Sequence, residues 1–236
     1  MSEIQIRPGL SGYYAQPTAG KARSAVVVMM EAYGLTAHIR GVCHRLAAAG
    51  HIALAPDYYH GRIVPYADSN TAISLLRELD DDALLAETAA ALDFLVARHP
   101  ETTARLAVCG FCMGGRLAFL AACRHAHRLA AAVSFYGGAI GAEGERDRLG
   151  RRPPLPEAAA LRAPLLLIYG AEDPSIAPAE HARVAQRLSE LKKRYVLSLY
   201  PGAAHGFCCE ERAAYAPDAA RAAFAEMFAF LRAQGF

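Results

Sequence analysis

The sequence has little net charge: 25 basic residues offset 23 acidic ones to leave +2, and the arginines are scattered along the chain. It lacks the basic stripe and the interleaved aromatic ladder of a nucleic-acid surface, so nucleic acid is not an expected partner. It lacks any apolar run approaching the roughly 20 residues that span a bilayer, and its first residues, MSEIQIRPGL, lack the apolar core of a signal peptide. No membrane association and a cytoplasmic location are therefore expected. There is no repeat at a fixed period and no long polar tract, which leaves disorder to the ends and one loop. No second cysteine pair or histidine stands at zinc-ligand spacing around Cys109 and Cys112, and Cys208 and Cys209 are adjacent, a poor start for a tetrahedral site. Neither a metal nor another cofactor is expected.

What is present is globular. With 54% hydrophobic and 20% charged residues, 236 residues suffice to bury a core without staples, and one α/β domain over 1–236 is the simplest organisation. Nothing demands more than a monomer. The six cysteines are expected to stay thiols in a reducing compartment, so their even number does not imply a disulfide framework.

Along the chain, EIQI and GYYAQP show partial alternation. The run AVVVMM (25–30) then has the unbroken apolar character of a strand buried in a parallel sheet and ends at Glu31. Thr36 is placed to cap a helix through about residue 49, Gly50 to close it, and HIALAP to form the next strand. Residues 57–80, with tyrosines and Pro65, read as an irregular surface excursion near a site. Helices are expected over 84–98, 113–123, 178–191 and 217–231, and strands over 106–109, 130–135, 165–169 and 195–199. This alternation predicts a doubly wound, mainly parallel sheet. The charged, proline-rich stretch 144–160 reads as a loop insertion, because the strand pattern resumes after it.

The segment GFCMGG (110–115) sits between the apolar run LAVC and the helical RLAFLAAC. It admits three readings. Cys112 is a nucleophile on a tight strand-to-helix turn, a core cysteine bracketed by glycines, or half of a CxxC pair with Cys109. The first requires small residues two before and two after the cysteine, where the turn leaves no room for a Cβ, and Gly110 and Gly114 meet it. A helix N-terminus would favour the thiolate, and the Met113 N–H would face an oxyanion. The redox reading fits less well, since thioredoxin-like motifs begin a helix with the first cysteine and Cys109 ends an apolar strand.

Downstream, YGAEDPSIAP offers Asp173 just past one expected strand and YPGAAHGF offers His205 just past the next. Each alone suits a turn or loop residue. Together with Cys112 they follow the order nucleophile, acid, histidine of α/β-hydrolases, all at carboxyl ends of strands. A cysteine elbow also occurs in amidotransferase and ThiJ-like folds, but there histidine commonly follows the cysteine at once, and here Met113 does.

EAYGLTAHIR, APDYYHGR, GFCMGG, YGAEDPSIAP and PGAAHGF, in this order over nearly the whole chain, resemble the dienelactone hydrolase (carboxymethylenebutenolidase) family. The resemblance implies an α/β-hydrolase fold and cofactor-free hydrolysis of an enol-lactone or related activated ester, with Cys112 as nucleophile, completed by His205 and Asp173. It implies that Glu31 contacts the sulfur and switches it between thiol and thiolate, and that the backbone N–H of Ala32 joins that of Met113 in an oxyanion hole. The alternatives are an esterase or thioesterase acting on another acyl substrate, and a non-catalytic or redox-sensing relative.

One position departs from the family. An arginine four residues after the histidine is part of the family's carboxylate-binding pattern, and Cys209 stands there. Without it the pocket is expected to favour neutral or differently placed acyl groups, unless Arg62, Arg77 or Arg212 compensates.

Overall fold

The computed structural model describes residues 2–20 and 22–236. Its centre is one eight-stranded sheet in the order β1-β2-β4-β3-β5-β6-β7-β8. The inner strands β3 (Ala25–Met29), β4 (Ile52–Pro56), β5 (Leu106–Phe111), β6 (Ala131–Phe135) and β7 (Leu165–Gly170) are buried along their whole length, as continuous apolar runs require. β8 (Tyr195–Tyr200) pairs parallel with β7 and forms one edge. The partial alternation near the N-terminus becomes a hairpin of β1 (Ser2–Arg7) and β2 (Leu10–Ala15), which pairs antiparallel with β4 and forms the other edge.

Among the described residues five α-helices lie between the strands, α1 (Ala37–Ala48), α2 (Ser69–Glu78), α3 (Asp81–Arg98), α4 (Met113–Arg124) and α5 (Pro178–Glu190), and a sixth, α6 (Pro217–Ala233), follows β8. α1 and α6 cover one face, where the Phe111 ring meets His38 of α1 at 5.2 Å and Phe224 of α6 at 6.2 Å between centroids. α3 and α4 pack together on the other face, with α5 beside them against the segment Leu155–Ala160. Among the described residues no helix is long and apolar enough to cross a membrane.

Three sequence expectations change. The excursion 57–80 is irregular only at first. Asp68 accepts a hydrogen bond from Thr71 N and starts α2, which buries Ala72, Leu75 and Leu76 on one side. Thr36 does occupy the N-cap of α1, but its hydroxyl makes no capping bond and lies 3.0 Å from Tyr66 Oη. The 144–160 loop has fixed structure: the Asp147 carboxylate accepts from the N–H groups of Leu149 and Arg151, and Leu155–Ala160 winds into a 3₁₀ helix. Gly50 closes α1 as expected, with φ of 96°.

Candidate active site

The elbow is built by backbone crowding. Cys112 joins β5 to α4 at φ 56° and ψ −114°, a conformation in which a side chain is strained. Its N–H donates to Phe135 O of β6 at 2.9 Å, which pins the turn to the sheet. A Cβ on Gly110 would collide with the backbone of Gly114, and one on Gly114 with the carbonyl groups of Met29 and Met30. Glycine at both positions thus lets the start of α4 close onto the end of β3. That contact carries Glu31 and Ala32 toward the N-terminus of α4, where the Met113 N–H, in the first helical turn, has no intrahelical acceptor.

Asp173 and His205 meet by the same logic beyond the ends of β7 and β8. Ala171 N donates to Tyr200 O at 2.9 Å and Glu172 N to Ala203 O at 3.0 Å, locking the loop after β7 onto the loop after β8. Asp173 is fully buried in its side chain. Its Oδ1 accepts from Ser175 N at 2.7 Å, and its Oδ2 lies 2.7 Å from His205 Nδ1. This contact fixes the ring and leaves Nε2 as the free nitrogen. Cys112, Met113 and His205 line one cavity of about 220 Å3, bounded also by Leu76 of α2, Gly138, Ser175 and part of the 144–160 loop. A larger open groove of about 940 Å3, between that loop and α5, contains none of Cys112, Asp173 and His205.

The electrostatics favour a charged pair. Burial is the largest influence on Cys112 and works against its ionisation, but the His205 charge and hydrogen bond, with a smaller pull from Arg212, together outweigh it, and the thiol lies below its ordinary value. Burial likewise disfavours charging His205, yet the Cys112 and Asp173 charges raise it well above the ordinary histidine range. Glu31 pushes the Cys112 thiol up and Arg212 pulls it down, each more weakly than His205. The other cysteines behave as core residues: burial raises Cys43, Cys109 and Cys123. Cys109 packs its sulfur 3.6 Å from Met227 Sδ of α6, and all six cysteines are free.

Glu31 is fully buried. Its Oε1 accepts from Tyr66 Oη at 2.7 Å, while Oε2 has no hydrogen-bond partner and lies 3.8 Å from Arg212 Nη1. Burial raises its pKa, and Tyr66, Arg212 and His205 each offset part of the rise. Arg212 packs over the Tyr33 ring at 5.5 Å. Of the three arginines considered as replacements for the one absent at Cys209, Arg212 is thus brought to the Glu31 side of the site. Arg62 and Arg77 are exposed, Arg62 lies 3.9 Å from Glu78, and neither lines the Cys112 cavity. Sequence reasoning missed Tyr66, Arg116, Arg148 and Arg151. For Tyr66 and Arg116 no local signal exists, because their partners lie 35 residues away in the chain.

Comparison with known proteins agrees with this architecture. The model of the dienelactone hydrolase family matches residues 10–235. The "Putative carboxymethylenebutenolidase" of Salmonella typhimurium is 32% identical over 233 residues, covering 96% of this chain and 83% of that protein. The "Probable 2-oxo-3-(5-oxofuran-2-ylidene)propanoate lactonase" of Bradyrhizobium sp is 34% identical over 223 residues, covering 93% and 88%. Among solved structures, the "Putative Dienelactone Hydrolase" of Klebsiella pneumoniae superposes with a TM-score of 0.88 at 32% identity, covering 98% of this chain and 97% of the other.

Proposed function

The chain belongs to the dienelactone hydrolase family, and we propose that it hydrolyses an enol-lactone or a related activated ester through a thioester on Cys112. The observation that carries this reading is the conjunction of a strained Cys112 at the mouth of a cavity with His205, whose Nδ1 is held 2.7 Å from the buried Asp173. The Cys112 thiolate attacks the acyl carbon, and the N–H groups of Ala32 and Met113 receive the negative charge that develops on the carbonyl oxygen. The ester oxygen leaves as His205 Nε2 delivers a proton to it. In an enol-lactone that oxygen departs as an enol still tethered to the acyl group. His205 then takes a proton from water, the hydroxide attacks the thioester, and the carboxylic product leaves with the thiolate regenerated. Asp173 orients the imidazole and stabilises its charged form.

Glu31 tempers the nucleophile. Its carboxylate disfavours the thiolate, and Tyr66 and Arg212 hold it in place, so a substrate that displaces the Glu31 carboxylate from the sulfur favours the attacking thiolate. All of these groups come from one chain, so the chemistry needs no second subunit. A free thiol nucleophile among five other free cysteines suits the reducing cytoplasm. The reading is tested with a panel of lactones, aryl esters and thioesters assayed with wild type and Cys112→Ala. Hydrolysis led by the lactones and lost in Cys112→Ala supports it. Preference for thioesters moves the assignment to another acyl substrate, and undiminished turnover in Cys112→Ala removes the thioester route.

A further inference from the structure

Glu31 and Cys112 follow the carboxyl ends of β3 and β5, and the amino ends of the same strands border another cavity, of about 370 Å3. Arg23 and Ser24 precede β3, His51 precedes β4 and Arg105 precedes β5, three neighbouring strands of the sheet. Arg232, in the last turn of α6, and Phe236 stand across from them. Backbone bonds fix this edge, since Ile52 N donates to Ser24 O and Ala25 N to Arg105 O, each at 3.0 Å. No acidic side chain lines the cavity, and no carboxylate of the described residues lies within ion-pairing distance of Arg23, Arg105 or Arg232.

Three exposed arginines alone are an ordinary solvated surface. The buried pair beside them is not. His51 is 5% exposed and Ser24 4%. Ser24 Oγ lies 2.7 Å from His51 Nδ1, while His51 Nε2 makes no hydrogen bond to a described residue. Burial lowers the His51 pKa, so the ring is neutral near pH 7. With the Ser24 hydroxyl donating to Nδ1, Nε2 keeps its proton and is a buried donor without an acceptor. The helix ends at this edge do not cancel the arginines. α1 and α6 finish here, and each carboxyl terminus is worth about half a negative charge, which leaves about two positive charges around the cavity. The terminal carbonyls are also turned away: Leu46 O accepts from His51 N, Ala47 O from Gly50 N, Arg232 O from Gly235 N and Leu231 O from Phe236 N. Charge of one sign over an apolar wall concentrates a positive potential in the cavity.

We infer that the cavity at Arg23, Arg105, Arg232 and His51 binds a phosphate group, as the free dianion or as a phosphomonoester whose organic part rests on the Phe236 ring. A phosphate carries about two negative charges and three strong acceptor oxygens, enough to match the excess positive charge and to take both the guanidinium forks and the His51 N–H. Phe236 is placed to contact an organic part, its ring centroid 6.3 Å from that of His51. The ligand is not the acyl substrate. Arg105 and Cys112 flank β5 at opposite ends, about 20 Å apart along an extended strand. The site is therefore independent of the hydrolytic chemistry at Cys112.

Calorimetric titration of the full chain with inorganic phosphate and with phenyl phosphate, at a fixed ionic strength of about 0.15 M, tests this. Both should bind saturably, one per chain, and phenol should not. Arg105→Gln and Arg232→Gln should each weaken phosphate binding about tenfold, while Arg7→Gln, the same loss of charge at an exposed position elsewhere, should change it less than about twofold. The arginines are exposed, so these variants should keep the wild-type melting temperature without ligand. His51→Gln, whose amide still donates, should retain more affinity than His51→Phe. Tighter binding of phenyl phosphate, with the gain lost in Phe236→Ala, assigns the site to a phosphomonoester, and equal affinities assign it to the free anion. Absence of saturable binding by either compound overturns the inference. So does binding in Arg105→Gln and Arg232→Gln equal to wild type, or a loss in Arg7→Gln as large as theirs.

Discussion

His205 Nδ1 and Asp173 Oδ2 lie 2.7 Å apart across the carboxyl ends of β8 and β7, with the aspartate side chain fully buried and the imidazole 16% exposed. Asp173 also accepts from Ser175 N, so both its oxygens are committed. Asp173→Asn should keep the fold and lower kcat by about 10³ to 10⁴, because the amide neither fixes the useful tautomer nor stabilises the charged ring. Steady-state kinetics beside a thermal melt check this; an unchanged kcat returns Asp173 to the role of a turn residue.

The Cys112–His205 pair gives a pH dependence of known sign. Because His205 depresses the Cys112 thiol, the thiolate should persist in wild type at pH values below the ordinary thiol range, and His205→Gln should move its titration upward. The folded-state value of His205 is raised, so its contribution to stability is present below the ordinary histidine range and is lost as pH rises through the raised value. Thiolate absorbance near 240 nm followed against pH reads the first effect. A titration that does not move in His205→Gln contradicts the pairing.

Glu31 and Arg212 act on the same sulfur in opposite directions. Glu31→Gln should make Cys112 react faster with iodoacetamide near neutral pH, and Arg212→Gln should make it react more slowly. Slower alkylation in Glu31→Gln would mean that the carboxylate assists ionisation.

Backbone crowding at the elbow is open to a stability test. Gly114→Ala forces a methyl group against the Met29 and Met30 carbonyls and should destabilise the protein by about 3 kcal/mol or more. Gly138→Ala, also at the cavity, meets only the Ile176 side chain, with the nearest atom at 3.5 Å, and should change stability by less than about 1 kcal/mol. Urea denaturation of both variants compares them directly.

The parallel strands were legible because each is buried on both faces and reads as an unbroken apolar run, as in AVVVM, LAVCGF and LLLIYG. The candidate site residues Cys112, Asp173 and His205 were legible because sheet topology delivers strand ends to one edge whatever the loops do. α2 was hidden because its sequence, SNTAISLLRE, carries only three buried residues and follows a stretch of tyrosines and Pro65. The charged walls were hidden for another reason. Nothing within 144–160 marks Arg151 as buried, since its environment depends on Arg116 of α4 anchoring the loop and on Asp81 of α3 anchoring Arg116.

The central claim is that Cys112 itself carries the acyl group. Wild type mixed with p-nitrophenyl acetate and quenched in acid within the first turnovers should gain the mass of one acetyl group, mapped to the peptide containing Cys112, with release of p-nitrophenol preceding the steady state. Cys112→Ala should show neither the adduct nor the early release, whereas Cys109→Ala should show both. An acetyl group found on another residue, or turnover at the wild-type rate in Cys112→Ala, would contradict the account.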